Sequence, residues 1–361
     1  MKIVTIIGAR PQFIKAAAVS NAIKVYNKLN KSPIIDEVII HTGQHFDPNM
    51  SAVFFEEMEI PKPNYLLDIN CLGHGAMTGR MLEEVENILL KETPDWVLVY
   101  GDTNSTLAGA LAASKLHIKV AHVEAGLRSF NMKMPEEINR ILTDRISTLL
   151  LCPSDNAIAN LRKEGYDSFT SKVYNVGDVM FDTTLHFSKI AKVPKFNVPE
   201  DFILATIHRA ENTDNLIRLK EIFSAFNTIA QETPILLPIH PRTKAILDRD
   251  KIEISENLHI VEPVGYLEIL YLLKKCKLVF TDSGGLQKEA YFAGKYCITL
   301  RDETEWVELV QNKVNTLAGA SSEKILAAFE ATKSNKTDYT NEFYGDGDAA
   351  SKIIEKLASF S

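Results

Sequence analysis

The chain has 361 residues, of which 45% are hydrophobic and 24% charged, and its formal net charge is −7. This length exceeds one typical domain and predicts two, each large enough to bury a core. The acidic balance excludes the basic surface of a nucleic-acid-binding protein, and no apolar run approaches the length of a membrane span. We therefore expect a cytoplasmic protein whose partners are neither nucleic acids nor membranes.

Short apolar segments alternate with helical patterns from the N terminus onward. Residues 3–7, too few for a signal peptide, form the first predicted strand, and a glycine turn leads from it into a helix. Similar β-branched segments follow at 37–42, 96–100, 119–123 and 149–152. This alternation predicts an α/β fold with a doubly wound parallel sheet, whose ligands gather at the carboxyl ends of the strands.

A second set of strands begins after a change of pattern near Val176. Its predicted members are residues 202–206, 235–238, 258–261, 278–280 and 296–300. We therefore predict two Rossmann-like domains, residues 1–175 and 176–344, with a cleft between them. The tail, residues 345–361, is expected to form a helix that Asp348 caps and that packs back on the first domain.

Neither the cysteines nor the histidines have the spacing of a metal site. Four scattered cysteines also lack the pattern of a disulfide framework, so we expect ordinary thiols, three of them in or beside strands: Cys71, Cys152, Cys276 and Cys297. His208 and His240 each follow a predicted strand without HxH or HxxxH spacing. We expect them to hydrogen-bond to substrate, with no metal involved.

The segment Thr-Asp-Ser-Gly-Gly at residues 281–285 follows an apolar strand and begins a helical pattern. Ser283 can cap the helix, while Gly284 and Gly285 let backbone N–H groups approach a ligand closely. The helix dipole favours an anion there, so the turn predicts a phosphate site; a simple capped turn is the alternative. Glu289, farther along the helix, could accept hydrogen bonds from both hydroxyls of a ribose.

Charged or polar residues follow nearly every predicted strand. Each alone is more often a surface charge or a helix cap, but together at one edge of a sheet they indicate a functional site. The first turn, residues 8–11, lacks the GxGxxG pattern of a dinucleotide site. Arg10, facing the Ser283 turn, would close a bidentate clamp on a diphosphate. The others in this set are Lys15, Gln44, Asp102, Glu124, Arg128, His208 and His240.

Three carboxylates are candidates for proton transfer. Asp102 can equally cap a helix, and Glu124 ends an apolar strand. Glu136 and Glu137 follow Pro135 at a helix start, where complementing the helix dipole suffices to explain one of them. Carboxylates held together in a partly dry cleft raise one another's pKa, which suits groups that take and return a proton near neutral pH.

These motifs, in this order, resemble those of the UDP-N-acetylglucosamine 2-epimerase family, sugar-nucleotide epimerases with the glycosyltransferase-B architecture. The resemblance covers nearly the whole chain and is carried by residues 8–11, 101–103, 122–128, 135–140, 208–209, 281–285 and 344–347. It implies that UDP lies on Ser283 to Gly285, with Glu289 on the ribose and with Arg10, Lys15 and His240 near the phosphates or sugar. Asp102, Glu124, Glu136 and His208 stand at the family's catalytic positions.

The family's reaction explains why several proton-transfer groups are needed. A base removes the C2 proton while UDP leaves from C1, which gives a 2-acetamidoglucal; UDP then adds back after protonation from the other face. The resemblance implies a homodimer and no cofactor. A hydrolysing epimerase, a retaining glycosyltransferase and a non-catalytic sugar-nucleotide sensor remain alternatives.

Two departures from the family pattern bear on substrate and regulation. Trp306 stands where many members have Arg, which favours the branch that epimerises UDP-2,3-diacetamido-2,3-dideoxyglucuronate. Gln44 and His45 match the start of the regulatory site of many bacterial members, but Phe46 and Asp47 depart from it. Activation by the substrate is therefore not expected.

Overall fold

The computed structural model describes residues 1–44, 61–334 and 337–360, except for the side chain of Arg10. Two compact units make up the chain. The first comprises Met1–Thr183 and Phe343–Ser361, and the second Thr184–Glu342. The sequence had indicated a division between residues 175 and 176.

A seven-stranded parallel sheet forms the centre of the first unit. Its strands are β1 (Lys2–Ile7), β2 (Asp36–His41), β3 (Tyr65–Leu66), β4 (Trp96–Tyr100), β5 (Lys119–Val123), β6 (Leu149–Cys152) and β7 (Lys172–Asn175). They lie in the order β3-β2-β1-β4-β5-β6-β7. The helices are α1 (Arg10–Lys28), α2 (His74–Glu92), α3 (Asn104–Lys115), α4 (Pro135–Ile146) and α5 (Asp155–Lys163), and the division between the units falls within α6 (Val179–Phe187). The central strands are continuous apolar runs because helices cover both faces of a parallel sheet.

A six-stranded parallel sheet forms the second unit. Its strands are β8 (Ile203–Thr206), β9 (Ile235–Pro238), β10 (Leu258–Val261), β11 (Leu278–Thr281), β12 (Tyr296–Thr299) and β13 (Asn315–Leu317), in the order β10-β9-β8-β11-β12-β13. The helices are α7 (Ala210–Thr213), α8 (Leu216–Ile229), α9 (Pro241–Arg249), α10 (Tyr266–Lys275), α11 (Gly284–Phe292), α12 (Val307–Gln311) and α13 (Ser322–Thr332). The predicted α/β class with doubly wound parallel sheets is confirmed.

Strand order reverses at one point in each sheet, and this positions the functional residues. In the first unit β1 lies between β2 and β4, and in the second β8 lies between β9 and β11. Ligands of doubly wound sheets bind at the carboxyl ends of the strands beside such a reversal. The turns after β1, β4, β8 and β11 are therefore the expected positions of ligand-binding residues.

The C-terminal helix α14 (Ala349–Ser359) belongs to the first unit and packs against α1. Asp348 occupies the N-cap position, but its side chain makes no capping hydrogen bond, so the predicted cap is wrong. The Asp182 carboxylate, on α6, takes that role by accepting from the backbone N of Ala349 at 3.1 Å and of Ala350 at 2.7 Å. A cap from a residue so distant along the chain leaves no local sequence signal.

Over the described ranges, we find no helix with both the length and the apolar character needed to cross a bilayer.

Candidate active-site residues

The turn after β1 is built around a glycine and an inward-facing glutamine. A Cβ at Gly8 would lie 2.1 Å from Ser105 Oγ, so only glycine fits there. Gln12 Oε1 accepts from Gly8 N at 2.8 Å, and its Nε2 donates to Tyr100 O at 2.8 Å. Gln12 therefore fixes the backbone of the turn that directly precedes residue 10, a role that the sequence did not reveal.

Gln44 lies at the carboxyl end of β2, directly before residues 45–60, which the structure does not describe. Its Oε1 accepts from the backbone N of Ser105 at 3.1 Å and from Ser105 Oγ at 2.8 Å. Ser105 is in the first turn of α3, so Gln44 joins the end of β2 to this helix. The residues on which the regulatory-site expectation depended, His45, Phe46 and Asp47, fall outside the described part.

Glu124 and Lys15 form a buried ion pair. Both side chains are 9% exposed, and Lys15 Nζ contacts Glu124 Oε2. Glu124 has a φ of 72°, a costly conformation for a residue with a side chain, and its backbone N donates to Leu151 O at 3.0 Å. Gly101 lies against the pair, since a Cβ there would be 3.1 Å from Glu124 Oε2. The strained backbone directs the carboxylate to a single position.

Asp102, at the carboxyl end of the neighbouring strand β4, is also paired with a cation. Arg140 Nη2 lies 2.5 Å from Asp102 Oδ2, and Asn139 Nδ2 donates to the Asp102 carbonyl at 2.9 Å. Both partners come from α4, and the sequence analysis missed them. We expected crowded carboxylates, but the structure instead gives Asp102 and Glu124 a cation each.

The two glutamates at the start of α4 have different surroundings. Glu137 is buried and accepts from the backbone N of Ser129 and of Phe130, both at 2.9 Å, and from Arg140 Nη1 at 2.7 Å. Burial raises the pKa of Glu137, but these hydrogen bonds outweigh it and leave the pKa lowered. Glu136 is exposed. Glu137 is thus the structural member of the pair.

Arg128, expected to bind substrate, is enclosed by protein acceptors. Its Nε and Nη2 donate to Glu164 at 2.7 and 2.8 Å, and its Nη1 donates to Asp144 at 2.7 Å and to Leu127 O at 2.8 Å. Burial lowers the pKa of Arg128, but the two carboxylates more than offset this and raise it. These contacts are the physical reason to treat Arg128 as a structural residue.

In the second unit, the turn after β11 has the geometry expected of an anion site. Ser283 caps α11, its Oγ accepting from Leu286 N at 3.4 Å. A Cβ at Gly284 would lie 2.6 Å from Glu305 Oε1, whereas at Gly285 the nearest atom would be Ser283 Oγ at 4.0 Å. Gly284 is therefore required by packing, while Gly285 keeps space open at the helix N terminus.

His208 lies beside this turn because Asp282 joins the ends of β8 and β11. The Asp282 carboxylate, fully buried, accepts from the backbone N of His208 and of Arg209, each at 3.0 Å, and from Asn212 Nδ2 at 3.0 Å. The His208 residue is itself exposed. Asp282 is a positioning residue that the sequence analysis named only as part of a motif.

His240 has a structural contact that the sequence did not indicate. It occupies the N-cap of α9, and its Nδ1 accepts from Arg242 N at 3.2 Å. The residue is exposed, so Nε2 is the atom that remains for a substrate contact.

Glu289 and Trp306 are both buried near the turn after β11. Glu289 is 5% exposed and Trp306 3% exposed. Lys288 Nζ lies 3.9 Å from the centre of the Trp306 ring, a cation–π distance, and Arg301 pairs with Glu305 at 3.0 Å. Trp306, the residue that departs from the family pattern, is thus packed against α11, the helix that follows this turn.

Comparison with known proteins identifies the family. A sequence model of the family described as UDP-N-acetylglucosamine 2-epimerase matches residues 27–358. The chain belongs to this family. The family membership expected from the motifs is therefore confirmed.

Individual epimerases match over nearly their full length. The chain is 54% identical to the UDP-2,3-diacetamido-2,3-dideoxy-D-glucuronate 2-epimerase of Pseudomonas aeruginosa, over 99% of each chain. It is 46% identical to the UDP-N-acetylglucosamine 2-epimerase of Methanocaldococcus jannaschii, again over 99% of each.

Solved structures of epimerases have the same fold. The Methanocaldococcus jannaschii UDP-GlcNAc 2-epimerase, crystallised with UDP-GlcNAc and UDP, has a TM-score of 0.88 at 45% identity and full coverage of both chains. The Neisseria meningitidis epimerase bound to UDP-GlcNAc has a TM-score of 0.85 at 31% identity, covering 99% of this chain and all of the other. A lipopolysaccharide outer core galactosyltransferase, at 14% identity and a TM-score of 0.58, shares the fold alone.

Proposed function

We propose that the protein is a non-hydrolysing 2-epimerase that interconverts UDP-N-acetylglucosamine and UDP-N-acetylmannosamine. The observation that carries the proposal is the arrangement of Asp102 and Glu124. Each follows one of two adjacent strands, and each is held by its own cation, Arg140 or Lys15. Inversion at a carbon needs two positioned proton-transfer groups, one for each face.

The reaction divides into elimination and re-addition. A base takes the C2 proton, the C1–O bond to UDP breaks, and a C1=C2 double bond forms. UDP then re-forms the C1–O bond while C2 receives a proton on the opposite face. We assign these proton transfers to Asp102, Glu124, Glu136 and His208; the departing diphosphate carries the negative charge that must be stabilised.

We assign UDP to the second unit. The N–H groups at Gly284 and Gly285, with Ser283 as cap, suit a phosphate, and buried Glu289 suits the ribose hydroxyls. Arg10, Lys15, Gln44 and His240 complete the proposed substrate contacts. For Arg128 we propose a supporting role in place of substrate contact.

A second substrate is supported by one observation. The Pseudomonas aeruginosa relative at 54% identity is named for UDP-2,3-diacetamido-2,3-dideoxy-D-glucuronate, and the Methanocaldococcus jannaschii relative named for UDP-N-acetylglucosamine is less similar, at 46%. Both compounds undergo the same inversion at C2. Comparison of kcat/KM for the two UDP-sugars decides between them, and the larger value identifies the substrate.

The test of the reaction is incubation of the protein with UDP-N-acetylglucosamine in D₂O, followed by NMR. We expect UDP-N-acetylmannosamine with deuterium at C2. Release of free N-acetylmannosamine and UDP would indicate the hydrolysing reaction, and absence of deuterium at C2 after full conversion would defeat proton exchange. Glu124→Gln should slow turnover by about 10² or more. The exposed Glu83→Gln is the matched control and should leave turnover unchanged.

From the family resemblance we also propose a homodimer, which light scattering at several protein concentrations would test. A cytoplasmic location suits a nucleotide-sugar substrate and the free thiols of Cys152, Cys276 and Cys297. Cell fractionation would test that location.

A further inference from the structure

His122, a residue that the proposed mechanism does not use, is fully buried on β5. Its Nδ1 lies 2.7 Å from Asp144 Oδ1, and its Nε2 lies 2.7 Å from the carbonyl oxygen of Gly101. A carbonyl oxygen can only accept a hydrogen bond, so Nε2 must carry a hydrogen. The same holds for Nδ1 wherever Asp144 is ionised.

The surroundings of Asp144 keep it ionised. Besides the contact with His122, its Oδ2 accepts from the backbone N of Gly126 at 3.1 Å and from Arg128 Nη1 at 2.7 Å. Burial opposes ionisation of Asp144, but the Arg128 guanidinium in contact with Oδ2 favours the charged carboxylate whatever the state of His122. With both acceptors fixed, the two ring nitrogens of His122 both donate, and the ring is an imidazolium.

His122 and Asp144 are linked to the candidate catalytic carboxylates through the two glycines that they contact. Gly101 directly precedes Asp102, and Gly126 follows Glu124 by two residues. Both glycines have positive φ, 63° and 80°, which glycine adopts without strain, and the hydrogen bonds to Gly101 O and from Gly126 N fix the position of each turn. One buried pair therefore braces the turn of each candidate proton-transfer carboxylate.

We propose that His122 and Asp144 are a positioning pair, a buried imidazolium and carboxylate that set the separation of the Asp102 and Glu124 carboxylates. The catalytic consequence rests on the proposed epimerase function, but the charge of the pair does not. Misplacement of a reacting group by about 1 Å can lower a rate by about 10²-fold, which is the scale expected here.

The other groups facing the pair are compatible with this charge. Asp144 is paired with Arg128, and Arg128 is in turn paired with Glu164, its Nε lying 2.7 Å from that carboxylate. Positive and negative charges therefore alternate along this row of contacts. Burial raises the pKa of the Cys152 thiol and of the Tyr166 hydroxyl, so both stay neutral. The positive charge on His122 is therefore balanced by Asp144.

The first test is nitrogen NMR of the wild-type protein with ¹⁵N-labelled histidine. Of the nine histidines, one should show both ring nitrogens protonated at the pH of the kinetic assay, as the two acceptors around the His122 ring require. His122→Gln should remove that signal. If every histidine has an unprotonated ring nitrogen at that pH, the imidazolium assignment is overturned.

The second test separates positioning from binding. We expect His122→Gln to lower kcat for the UDP-sugar by about 10²-fold, while KM and the Kd for UDP change less than about threefold. The exposed His117→Asn, near the start of the same strand, is the control with unchanged kcat. Unchanged kcat in His122→Gln, or loss of UDP affinity in step with kcat, would overturn the proposal.

The two tests also distinguish this proposal from the proposed function. If the wild-type protein epimerises neither UDP-sugar, the proposed function fails, while the NMR result on wild type still decides whether the pair is charged. If His122→Gln does not fold, Asp144→Asn replaces it in both tests, with the same kcat loss expected. In that variant the doubly protonated signal should also disappear, and its persistence would count against the pair.

Discussion

Arg140 joins two carboxylates with different roles, its Nη2 lying 2.5 Å from Asp102 and its Nη1 2.7 Å from Glu137. Lysine would keep the positive charge, but its single ammonium nitrogen cannot replace the two guanidinium nitrogens that contact the two carboxylates. We therefore expect Arg140→Lys to lower kcat by about 10-fold to 10²-fold with a smaller change in KM. Steady-state kinetics with the UDP-sugar measures this. Arg162→Lys, at an exposed position on α5, should behave as wild type; equal kcat in both variants would show that contact from both guanidinium nitrogens is not needed.

Replacing the buried Asp282 should destabilise the second unit. The backbone N–H groups of His208 and of Arg209 both donate to the buried carboxylate of Asp282. Asparagine has only one side-chain oxygen, so its NH₂ group would face one of these donors. We expect Asp282→Asn to lower the free energy of unfolding by about 2 to 4 kcal/mol. Urea denaturation measures this. Asp201→Asn, which breaks an exposed ion pair with Lys277 at 3.0 Å, should cost less than about 1 kcal/mol. Equal losses in the two variants would contradict the assignment.

The raised pKa of Asp182 should make the stability of the fold depend on pH. Burial raises its pKa to about 6 against the lowering effect of the hydrogen bonds from Ala350 and Ala349. Because the folded pKa lies above the unfolded value of about 3.9, this group stabilises the fold most below that value, and the contribution is lost as pH rises through about 6. We expect Asp182→Asn to flatten the curve of unfolding free energy between about pH 4 and about pH 7.

Asp346 is the control for this pH dependence. Lys352 lowers the pKa of this exposed carboxylate, so its contribution is lost only as pH falls below the usual range for Asp. Asp346→Asn should therefore leave the slope between about pH 5 and about pH 7 as in wild type. A wild-type slope in Asp182→Asn would mean that another group titrates there.

The central strands were predictable because each consists of consecutive apolar residues, which is typical of a strand buried on both faces. Residues 3–7 and 96–100 are such runs, and both form central strands. The edge strands β3, β7 and β13 were missed, since a short, partly exposed strand such as Lys172–Asn175 has no comparable run. Local sequence therefore indicated the middle of each sheet better than its edges.

The candidate site was only partly predictable because its ion pairs join residues far apart in the chain. Asp102 was proposed from its position after a strand, but its partner Arg140 lies 38 residues away. Arg128 was a substrate-binding candidate because it follows a predicted strand, as the other charged residues of that set do. Nothing local indicated that Glu164 and Asp144 would enclose it. Pairing of this kind depends on the sheet order, which brings α4 and α5 to the ends of β4 and β5.

Gly284 and Gly285 are adjacent in the chain but should respond differently to alanine. A Cβ at position 284 would lie 2.6 Å from Glu305 Oε1, which is itself paired with Arg301. Glu305 would have to move, so we expect Gly284→Ala to lower the free energy of unfolding by about 1 to 3 kcal/mol. Thermal and urea unfolding measure this loss, and an unchanged midpoint would contradict the packing role of Gly284.

Gly285→Ala should instead leave the fold intact and weaken binding. A Cβ at position 285 meets only Ser283 Oγ, at 4.0 Å, so the added methyl group occupies the open space at the N terminus of α11. If a diphosphate uses that space, the methyl group keeps it from the backbone N–H groups, and the Kd for UDP should rise by about tenfold or more. Calorimetry with UDP measures the change, and Gly79→Ala on α2, where an added Cβ would meet nothing within 4 Å, serves to reveal any general effect of replacing a glycine. Wild-type affinity for UDP in a folded Gly285→Ala variant would remove the turn at residues 283–285 from the binding site, because no diphosphate could then be lying against it.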